Sequence, residues 1–426
     1  MVTDVEHLLA VAGRAREQMP PPGDARYEQY CVALADRLTE AWPTVLTANA
    51  ADVGRAAATG MGPALLDRLS LGDQHLRALL GLAERTRTAL PAVTAPAAGH
   101  RAGNGTLVRR VPKPVGVALM IYEARPTVTV EGALLPVATG NVVVLRGGSE
   151  IAGTNQALGD AVDKALADAG LPAGAAQIVT DPDRKVVRAL LRRHDAVDVL
   201  IPRGSPTLID YCRTSSTIPV IASGGGVNHL YVDRSADLDL AARIALDSKL
   251  AEPTACNTLE LVLAHAEVAG ELVGRLVDAG DGSGEPWLLR VDPRLNASVP
   301  AGAAVAELAG TDDGREFLER SVGVRPIAGL DDAVQHIRRF GSGHTEGVVA
   351  ADQGVVDAFV SRVDAAALVV NGSLRLHDGP TMGLGPELSI STGRLHVRGP
   401  VDLSALLTYS WVIDAAGTLR GGSEPA

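Results

Sequence analysis

From residue 115 onward, short β-branched runs alternate with longer stretches at helical spacing, and this alternation constrains the fold more than any other feature. The helical stretch 154-TNQALGDAVDKALADAG-170, for example, lies between two such runs. The predicted strands of this region are 115–121, 142–145, 176–179, 197–201 and 218–222. Strands that alternate with helices build a parallel sheet through right-handed crossovers. The sequence therefore predicts an α/β fold in which ligands bind in loops beyond the carboxyl ends of the strands.

The regions on either side of this sheet have different patterns. Residues 4–90 repeat apolar residues at three-to-four spacing, as in 30-YCVALADRLTEAW-42, and are predicted to be helical. The stretch 106-TLVRRVPK-113 alternates and predicts a strand. A second α/β unit is predicted to begin near 258-TLELVLA-264, and 395–414 is predicted to be an extended strand region.

Glycine-rich loops follow three of the predicted strands. They read 146-RGGSE-150, 202-PRGSP-206 and 222-ASGGGVNH-229. Glycine lets backbone amides approach phosphate oxygens, and arginine adds a forked cationic donor. Each loop alone is equally well explained as a tight strand-to-helix turn, but three at one predicted sheet edge favour a nucleotide cofactor. GxGxxG is absent after the first strand and GxxxxGK[ST] is absent throughout, which disfavours an ordinary dinucleotide fingerprint and a P-loop kinase.

Composition excludes several classes of partner. The net charge of −11 gives no reason to expect nucleic acid or an anionic membrane, and 3% aromatic residues is too few for base-stacking platforms. The ten histidines show no ligand spacing such as HExxH, so we expect no metal. Acidic residues near the start and an odd number of widely spaced cysteines, three, favour a cytoplasmic protein.

One cysteine stands in an unusual setting. Cys256 lies in 252-EPTACNTLE-260, among small and polar residues, between a predicted helix and a predicted strand. From the residues alone it is either a buried filler, the commoner state of cysteine, or a nucleophile. Cys31 and Cys212 lie on amphipathic helices and are assigned to packing.

Several long motifs occur in one order along the chain. They are 121-IYEARPTVTVE-131, 143-VVLRGGSE-150, 218-IPVIASGGGVNHLYVD-233, 253-PTACNTLE-260, 340-FGSGHTE-346 and 383-GLGPELSISTGRLHVRGP-400. In these motifs the chain resembles the γ-glutamyl phosphate reductase family, the glutamate-5-semialdehyde dehydrogenases of proline biosynthesis. That family is a branch of the aldehyde dehydrogenase superfamily, and the resemblance covers nearly the whole chain.

The resemblance implies an aldehyde dehydrogenase-like fold with a Rossmann-like NADPH-binding domain, an α/β catalytic domain and a β-strand arm that joins subunits. It implies the cofactor domain in 1–100 and 114–245, the catalytic domain in 246–380, the oligomerisation strands in 101–113 and 395–416, and a tail in 417–426. The implied assembly is a homodimer or a dimer of dimers.

The resemblance also implies a reaction. Members of the family use NADPH to reduce an acyl phosphate, L-glutamyl 5-phosphate, to the semialdehyde through a cysteine thioester, and the motif places that cysteine at Cys256. The implied cofactor-binding residues are Arg146, Gly148, Ser149, Glu150, Pro202, Arg203, Gly204 and Glu316. The candidate substrate-binding residues are Arg125, Asn371, Ser373 and Arg375. Glu316 is almost equally well explained as a solvated helix charge, and each substrate candidate could instead be a structural hydrogen bonder.

The chain departs from the family pattern near the cysteine. Glu252 stands where the family usually has arginine, and Asn228 where it usually has cysteine. Leu374, Leu376 and His377 replace the usual threonine, aromatic residue and threonine. An anion beside the nucleophile disfavours a phosphate dianion. One hypothesis is therefore that the reductase chemistry is kept while the acyl phosphate or aldehyde substrate has changed.

Two further interpretations stay open. An aldehyde dehydrogenase that hydrolyses its thioester needs a base to activate water, and Ala222 and Ser223 stand where the superfamily's usual glutamate would be. A non-catalytic relative that scaffolds or regulates a partner acyl kinase is favoured by Glu252. The retained Cys256 and the cofactor loops argue against it.

Overall fold

The structure, a computed structural model, describes residues 3–284 and 286–420. The chain divides into two compact units. The first comprises Met1–Ala222, Leu384–Ser389 and Val401–Ala426, and the second comprises Ser223–Gly383 and Ile390–Pro400. Every helix in the described part of the chain is too short or too polar to span a bilayer.

The secondary structure is mixed α/β. The helices are α1 (Val5–Gln18), α2 (Ala25–Ala58), α3 (Pro63–Leu69), α4 (Asp73–Thr94), α5 (Thr127–Ala138), α6 (Ala152–Asp168), α7 (Arg184–Leu190), α8 (Pro206–Ser215), α9 (Leu238–Leu250), α10 (Ala266–Gly282), α11 (Leu330–Phe340) and α12 (Gln353–Arg362). The strands are β1 (His100–Arg101), β2 (Leu107–Pro114), β3 (Val117–Tyr122), β4 (Val142–Arg146), β5 (Ala176–Val179), β6 (Val199–Arg203), β7 (His229–Val232), β8 (Leu261–His265), β9 (Leu288–Val291), β10 (Val305–Glu307), β11 (Ser321–Ile327), β12 (Thr345–Val349), β13 (Ala367–Val370), β14 (Glu387–Ser391), β15 (Gly399–Asp402) and β16 (Leu407–Asp414).

The first unit is built on a parallel sheet in the order β5-β4-β3-β6. β3 and β4 are almost entirely buried, and their apolar runs fill both faces of the sheet, as expected of a parallel sheet covered by helices. The chain passes from β3 through β4 to β5 on one side, and then returns to β6 on the other. The strand order therefore reverses between β3 and β6, which is where ligands bind in open α/β sheets.

The predicted strand at 218–222 does not form. This segment runs beside β6 through the single parallel bridge Leu200↔Val220, with Leu200 donating its N–H to the Pro219 carbonyl and accepting from Ile221. Pro219 has no N–H to extend the ladder. The first unit then ends at Ala222, because β7 pairs with β8 and β12 of the other sheet. The unit boundary thus lies before the predicted domain boundary at 245.

A separate antiparallel sheet carries the predicted arm. β2 pairs along its whole length with β16, from Leu107↔Asp414 to Pro114↔Leu407, and β1 pairs with the other edge of β2. The C-terminal strand of this arm begins at Leu407, later than the predicted 395, because β15 pairs with β14 instead. Residues 417–420 contain a turn, and residues 421–426 of the predicted tail lie outside the described residues.

The second unit contains a seven-stranded parallel sheet in the order β10-β9-β11-β8-β7-β12-β13. Its core contains apolar side chains from α9 and α10, among them Ile244, Leu272 and Leu276. α9 ends at Leu250, just before Glu252–Pro253, as the sequence predicts. Residues 251–260 then form the connection to β8 that carries Cys256, which we call the Cys256 loop.

Candidate active site

The three cysteines differ sharply in exposure. Cys256 is half-buried, whereas Cys31 and Cys212 are buried. Burial raises the pKa of the Cys31 thiol to about 12 and that of Cys212 to about 11. Because the thiolate is the nucleophile, the two buried cysteines are unreactive at neutral pH. This fits the prediction that they serve packing and leaves Cys256 as the candidate.

The glycine-rich segment before β7 supports the backbone of the Cys256 loop. The Asn228 amide donates to the carbonyls of Cys256 (2.8 Å) and Thr258 (2.6 Å), and accepts from the Thr345 N–H (3.1 Å). A Cβ added at Gly226 would lie 1.5 Å from the Cys256 carbonyl oxygen. The backbones therefore touch here, and only glycine fits at position 226.

Arg375 contacts both sides of the Cys256 loop. Its guanidinium donates to the Glu252 carboxylate (Nη2 to Oε2, 2.7 Å) and to the Asn257 side-chain oxygen. The Asn257 amide in turn donates to the His377 carbonyl (3.0 Å). Glu252, the departure from the family pattern, is thus balanced by a cation rather than left as an isolated anion.

Glu316 also lies at this site. The segment 315–319 is not helical, so the Glu316 carboxylate is not a solvated helix charge. Its Oε1 accepts the Gly226 N–H at 2.7 Å. Gly226 therefore links the two residues: its N–H bonds to the Glu316 carboxylate, and its backbone packs against the Cys256 carbonyl.

Asn371 and Ser373 have internal partners. Asn371, at φ +50°, accepts from the Ala350 N–H (3.0 Å) and donates to the Ala350 carbonyl (3.0 Å). Ser373 caps the short 3₁₀ helix Leu374–Leu376 and lies 3.3 Å from the Ser248 hydroxyl. These contacts are of the kind that structural hydrogen bonders make, and a substrate-binding role for the two residues stays a prediction.

Two buried histidines pack beside the Asn228 contact. The Thr345 hydroxyl lies 2.7 Å from Nδ1 of His344 and 2.8 Å from Nδ1 of His377. Burial lowers the pKa of His344 to about 3 and that of His377 to about 4, so both rings are neutral at neutral pH. Among the described residues, no group of three or more His, Cys, Asp and Glu side chains is arranged to hold a metal ion.

In the first unit, the loop after β4 carries four predicted cofactor residues. Arg146 ends the strand and donates from Nη2 to the Pro182 carbonyl (3.1 Å), while its Nε is buried without a hydrogen-bond partner among the described residues. Gly148 leads into the 3₁₀ turn Ser149–Ile151. The Glu150 carboxylate accepts the Ala124 N–H at 3.0 Å.

The loop after β6 carries the other three, Pro202, Arg203 and Gly204. The Arg203 carbonyl accepts from the Glu123 N–H (3.0 Å), and the Glu123 carboxylate accepts from the Ser205 N–H (2.8 Å). A Cβ at Gly204 would meet that carboxylate at 2.5 Å. Sequence reasoning missed Glu123, although it lies inside the quoted 121–131 motif.

The segment joining these two loops presents Arg125. It follows Ala124, which has φ +46°, and its guanidinium makes no hydrogen bond or ion pair with any described residue. The third glycine-rich loop, 222–229, was predicted at the same sheet edge. Apart from Ala222 it belongs to the second unit instead.

Known proteins match the chain over most of its length. A sequence profile of the aldehyde dehydrogenase family matches residues 31–285. The γ-glutamyl phosphate reductase of Sorangium cellulosum is 40% identical over 97% of this chain and 97% of its own, and that of Roseiflexus castenholzii is 40% identical over 98% and 100%. The crystal structure of γ-glutamyl phosphate reductase from Thermotoga maritima has a TM-score of 0.91 and 30% identity, covering 98% of this chain and 100% of that chain.

The chain belongs to the γ-glutamyl phosphate reductase family. It is an oxidoreductase with the aldehyde dehydrogenase-like α/β fold, and the resemblance found in the sequence is confirmed. An acetylating aldehyde dehydrogenase from Geobacillus thermoglucosidasius shares the fold, with a TM-score of 0.71 at 18% identity over 99% of this chain and 98% of that chain.

The carboxyl edge of β3, β4 and β6 suits the phosphate-bearing dinucleotide expected of a γ-glutamyl phosphate reductase. The edge lies at the reversal of strand order, and β6 runs into a glycine turn. β4 ends in Arg146, whose buried Nε has no hydrogen-bond partner in the described part of the chain. Backbone amides and an arginine are the donors that phosphate groups require. The residues present therefore fit the group.

Proposed function

We propose that this enzyme catalyses the NADPH-dependent reduction of L-glutamyl 5-phosphate to L-glutamate 5-semialdehyde with release of phosphate, a step of proline biosynthesis. The observation that carries the proposal is Cys256, the half-buried cysteine, on a loop whose Cys256 and Thr258 carbonyls both accept from the Asn228 amide. Relatives named γ-glutamyl phosphate reductase at 40% identity over nearly the whole chain support the substrate.

The nucleophile is the Cys256 thiolate. It attacks the acyl carbon, the carbon–oxygen bond to phosphate breaks, and a thioester forms as phosphate leaves with the bonding electron pair. A donor must stabilise the oxyanion of the tetrahedral intermediate, and our candidates are the Cys256 backbone N–H and the polar groups of 122–126. The Asn228 side-chain nitrogen already donates to two backbone carbonyls, and its oxygen accepts a backbone N–H, so Asn228 is not the donor.

The cofactor is assigned to residues of both loops of the first unit and to Glu316. Arg146 would bind the 2′-phosphate that distinguishes NADPH from NADH, with Gly148, Ser149 and Glu150 near the ribose and Pro202, Arg203 and Gly204 in the next loop. Glu316 would hold the nicotinamide ribose. When bound, the reduced nicotinamide supplies the hydride that converts the thioester to the aldehyde.

The acidic substrate requires a cation. Arg125 is the first candidate, because its guanidinium has no partner among the described residues, and a forked donor matches a carboxylate. Arg375 is the second, and its ion pair with Glu252 must compete with any substrate anion.

A reverse-direction assay tests this proposal. Glutamate semialdehyde, phosphate and NADP⁺ should give NADPH, followed by absorbance, with a much slower rate when phosphate is omitted. No NADPH formation by the wild-type enzyme would refute it. A forward assay with a panel of acyl phosphates tests the alternative that the substrate has changed. The Glu252 carboxylate, about half exposed beside the nucleophile, is what favours that alternative.

Thiol alkylation separates the enzyme from a non-catalytic scaffold of an acyl kinase. At pH 8 a thiol with a pKa near 11 is only about 0.1% thiolate, so iodoacetamide should modify Cys256 before Cys212 and Cys31. Substrate should protect Cys256 if it is the nucleophile. Equal labelling of all three cysteines, or no protection, would favour the scaffold.

We also propose that the enzyme is a homodimer or a dimer of dimers joined through β16. Tyr409, Trp411 and Ile413 alternate along that strand and are about half to two-thirds exposed. Contiguous exposed apolar side chains on an edge strand usually bind a partner. Trp411→Glu should shift the oligomer towards the monomer in sedimentation, whereas Thr408→Glu, on the opposite face of the strand, should shift it less.

A further inference from the structure

A buried ion pair joins the two ends of the Cys256 loop. Lys249 lies in the last turn of α9, and Glu260 directly precedes β8. Their side chains are 0% and 2% exposed, and the Lys249 Nζ lies 2.9 Å from each carboxylate oxygen of Glu260. The pair therefore closes the base of the loop that presents Cys256.

Glu260 has a further partner that links it to Glu316. Its Oε2 accepts the Phe317 N–H at 3.0 Å, and the adjacent Glu316 accepts the Gly226 N–H at 2.7 Å. Gly226 packs directly on the Cys256 carbonyl. The contacts thus form a closed path from the base of the Cys256 loop, through the 316–317 segment, back to Cys256.

Stability alone does not account for such a pair. Burial raises the pKa of Glu260 to about 7 and lowers that of Lys249, which shows the desolvation cost of holding both charges. Replacing a buried pair by apolar side chains of similar volume is often neutral or stabilising. Buried charged groups are instead well suited to fixing one arrangement of the backbone around them.

We propose that Lys249 and Glu260 are positioning residues, which hold the Glu316 segment at the distance from Cys256 that the reaction requires. They touch neither substrate nor cofactor and act through the Phe317 N–H. The effect on cofactor affinity rests on the proposed role of Glu316, whereas the effect on backbone order does not.

Two double variants isolate the hydrogen bond to Phe317. Lys249→Met with Glu260→Gln removes both charges but keeps a side-chain oxygen for the Phe317 N–H. Lys249→Met with Glu260→Met removes both charges and that oxygen. The two variants differ in the amide at position 260, whose oxygen is the acceptor for the Phe317 N–H, and thermal unfolding establishes that both are folded.

The expected difference appears in two measurements. In the Met/Met variant the amides of 223–228 and 314–318 should exchange with deuterium about tenfold faster than in the Met/Gln variant, the size expected for one lost hydrogen bond. The KM for NADPH should rise by about the same factor, because Glu316 is no longer held, while the KM for the acyl phosphate stays within about twofold.

Equal exchange and equal KM values in the two variants would overturn the proposal. If the Met/Met variant does not fold, Phe317→Pro removes the same hydrogen bond from the donor side, and unchanged exchange in 223–228 then overturns it. If the wild-type enzyme reduces no acyl phosphate, the proposed function fails, and the exchange measurement alone decides whether the pair positions the segment.

Discussion

The cofactor loops of the first unit and the Cys256 loop of the second are held by different kinds of contact. In the first unit, Glu123 and Glu150 each accept a backbone N–H, and the loops otherwise follow directly from strand ends. The Cys256 loop is held by side chains that each make two or three hydrogen bonds, such as Asn228 and Arg375. Side-chain substitutions should therefore be tolerated better around the cofactor than around the nucleophile.

Replacing the nucleophile should give the largest effect. Cys256→Ala should lower kcat at least about 10³-fold, since the whole covalent route depends on the thiolate. Steady-state assays of NADPH oxidation with acyl phosphate measure this loss. Cys212→Ala, which removes a buried thiol of the first unit, is the matched control and should retain activity once its folding is verified. Comparable rates for wild type and Cys256→Ala would remove this cysteine from the mechanism.

His377 should make the second unit sensitive to acid. Burial lowers its pKa from 6.5 to about 4. Between these two pH values the ring is protonated in the unfolded chain but neutral in the folded protein. Its contribution to the free energy of unfolding is fully present above pH 6.5 and is lost, by roughly 3 kcal/mol, as pH falls towards 4.

His377→Thr restores the residue usual in the family and should lessen this pH dependence, as measured by urea unfolding between pH 4 and 7. The buried His344 keeps its own contribution in the variant. His194→Thr makes the same substitution at an exposed site of the first unit and is the control. If the free energy of unfolding changes equally with pH in wild type and His377→Thr, then His377 does not make the second unit sensitive to acid.

Gly226 tests whether the Cys256 loop also depends on close contact between two backbone segments. Gly226→Ala places a Cβ against the Cys256 carbonyl, so the loop must move. The free energy of unfolding should fall by about 1–3 kcal/mol. In Gly224→Ala the added Cβ meets only the Thr392 side chain, at 3.1 Å, so the free energy of unfolding should fall by less. Denaturant titration of the two variants measures the difference, and an equal loss in both would contradict the close packing of 226 on 256.

A substitution in the loop after β4 should have a smaller effect, and one that depends on which cofactor is used. Arg146→Gln should raise the KM for NADPH about tenfold and leave that for NADH nearly unchanged, because one charge-assisted contact to the 2′-phosphate is lost. Its stability should be close to that of wild type. An equal rise for both cofactors would mean that Arg146 shapes the loop instead of reading the phosphate.

The sequence predicted the elements with strong local patterns. β4 and β6 are short apolar runs that contain β-branched residues, and α9 ends where Glu252–Pro253 stops it. β7 was missed, because His229–Val232 follows a glycine run and begins with a histidine whose partner, Glu346, is 117 residues away.

The site was predicted in part for the same reason. Cys256, Arg375 and Glu316 were named from motifs, but the contacts that join them were not. Arg375 pairs with Glu252 across 123 residues of chain, and Glu316 reaches Gly226 across 90. Nothing in local composition encodes such partners, since they depend on how the strands of the second sheet are ordered.

Asn371 carries a consequence for the ageing of the protein. It is exposed, follows the edge strand β13, precedes Gly372, and uses both polar atoms of its amide to hold Ala350, which directly follows β12. Asparagine before glycine is prone to lose ammonia, and asparagine is among the thermolabile residues. The product carboxylate would face the Ala350 carbonyl with no proton to donate, so chemical damage during storage should loosen the β12–α12 connection first.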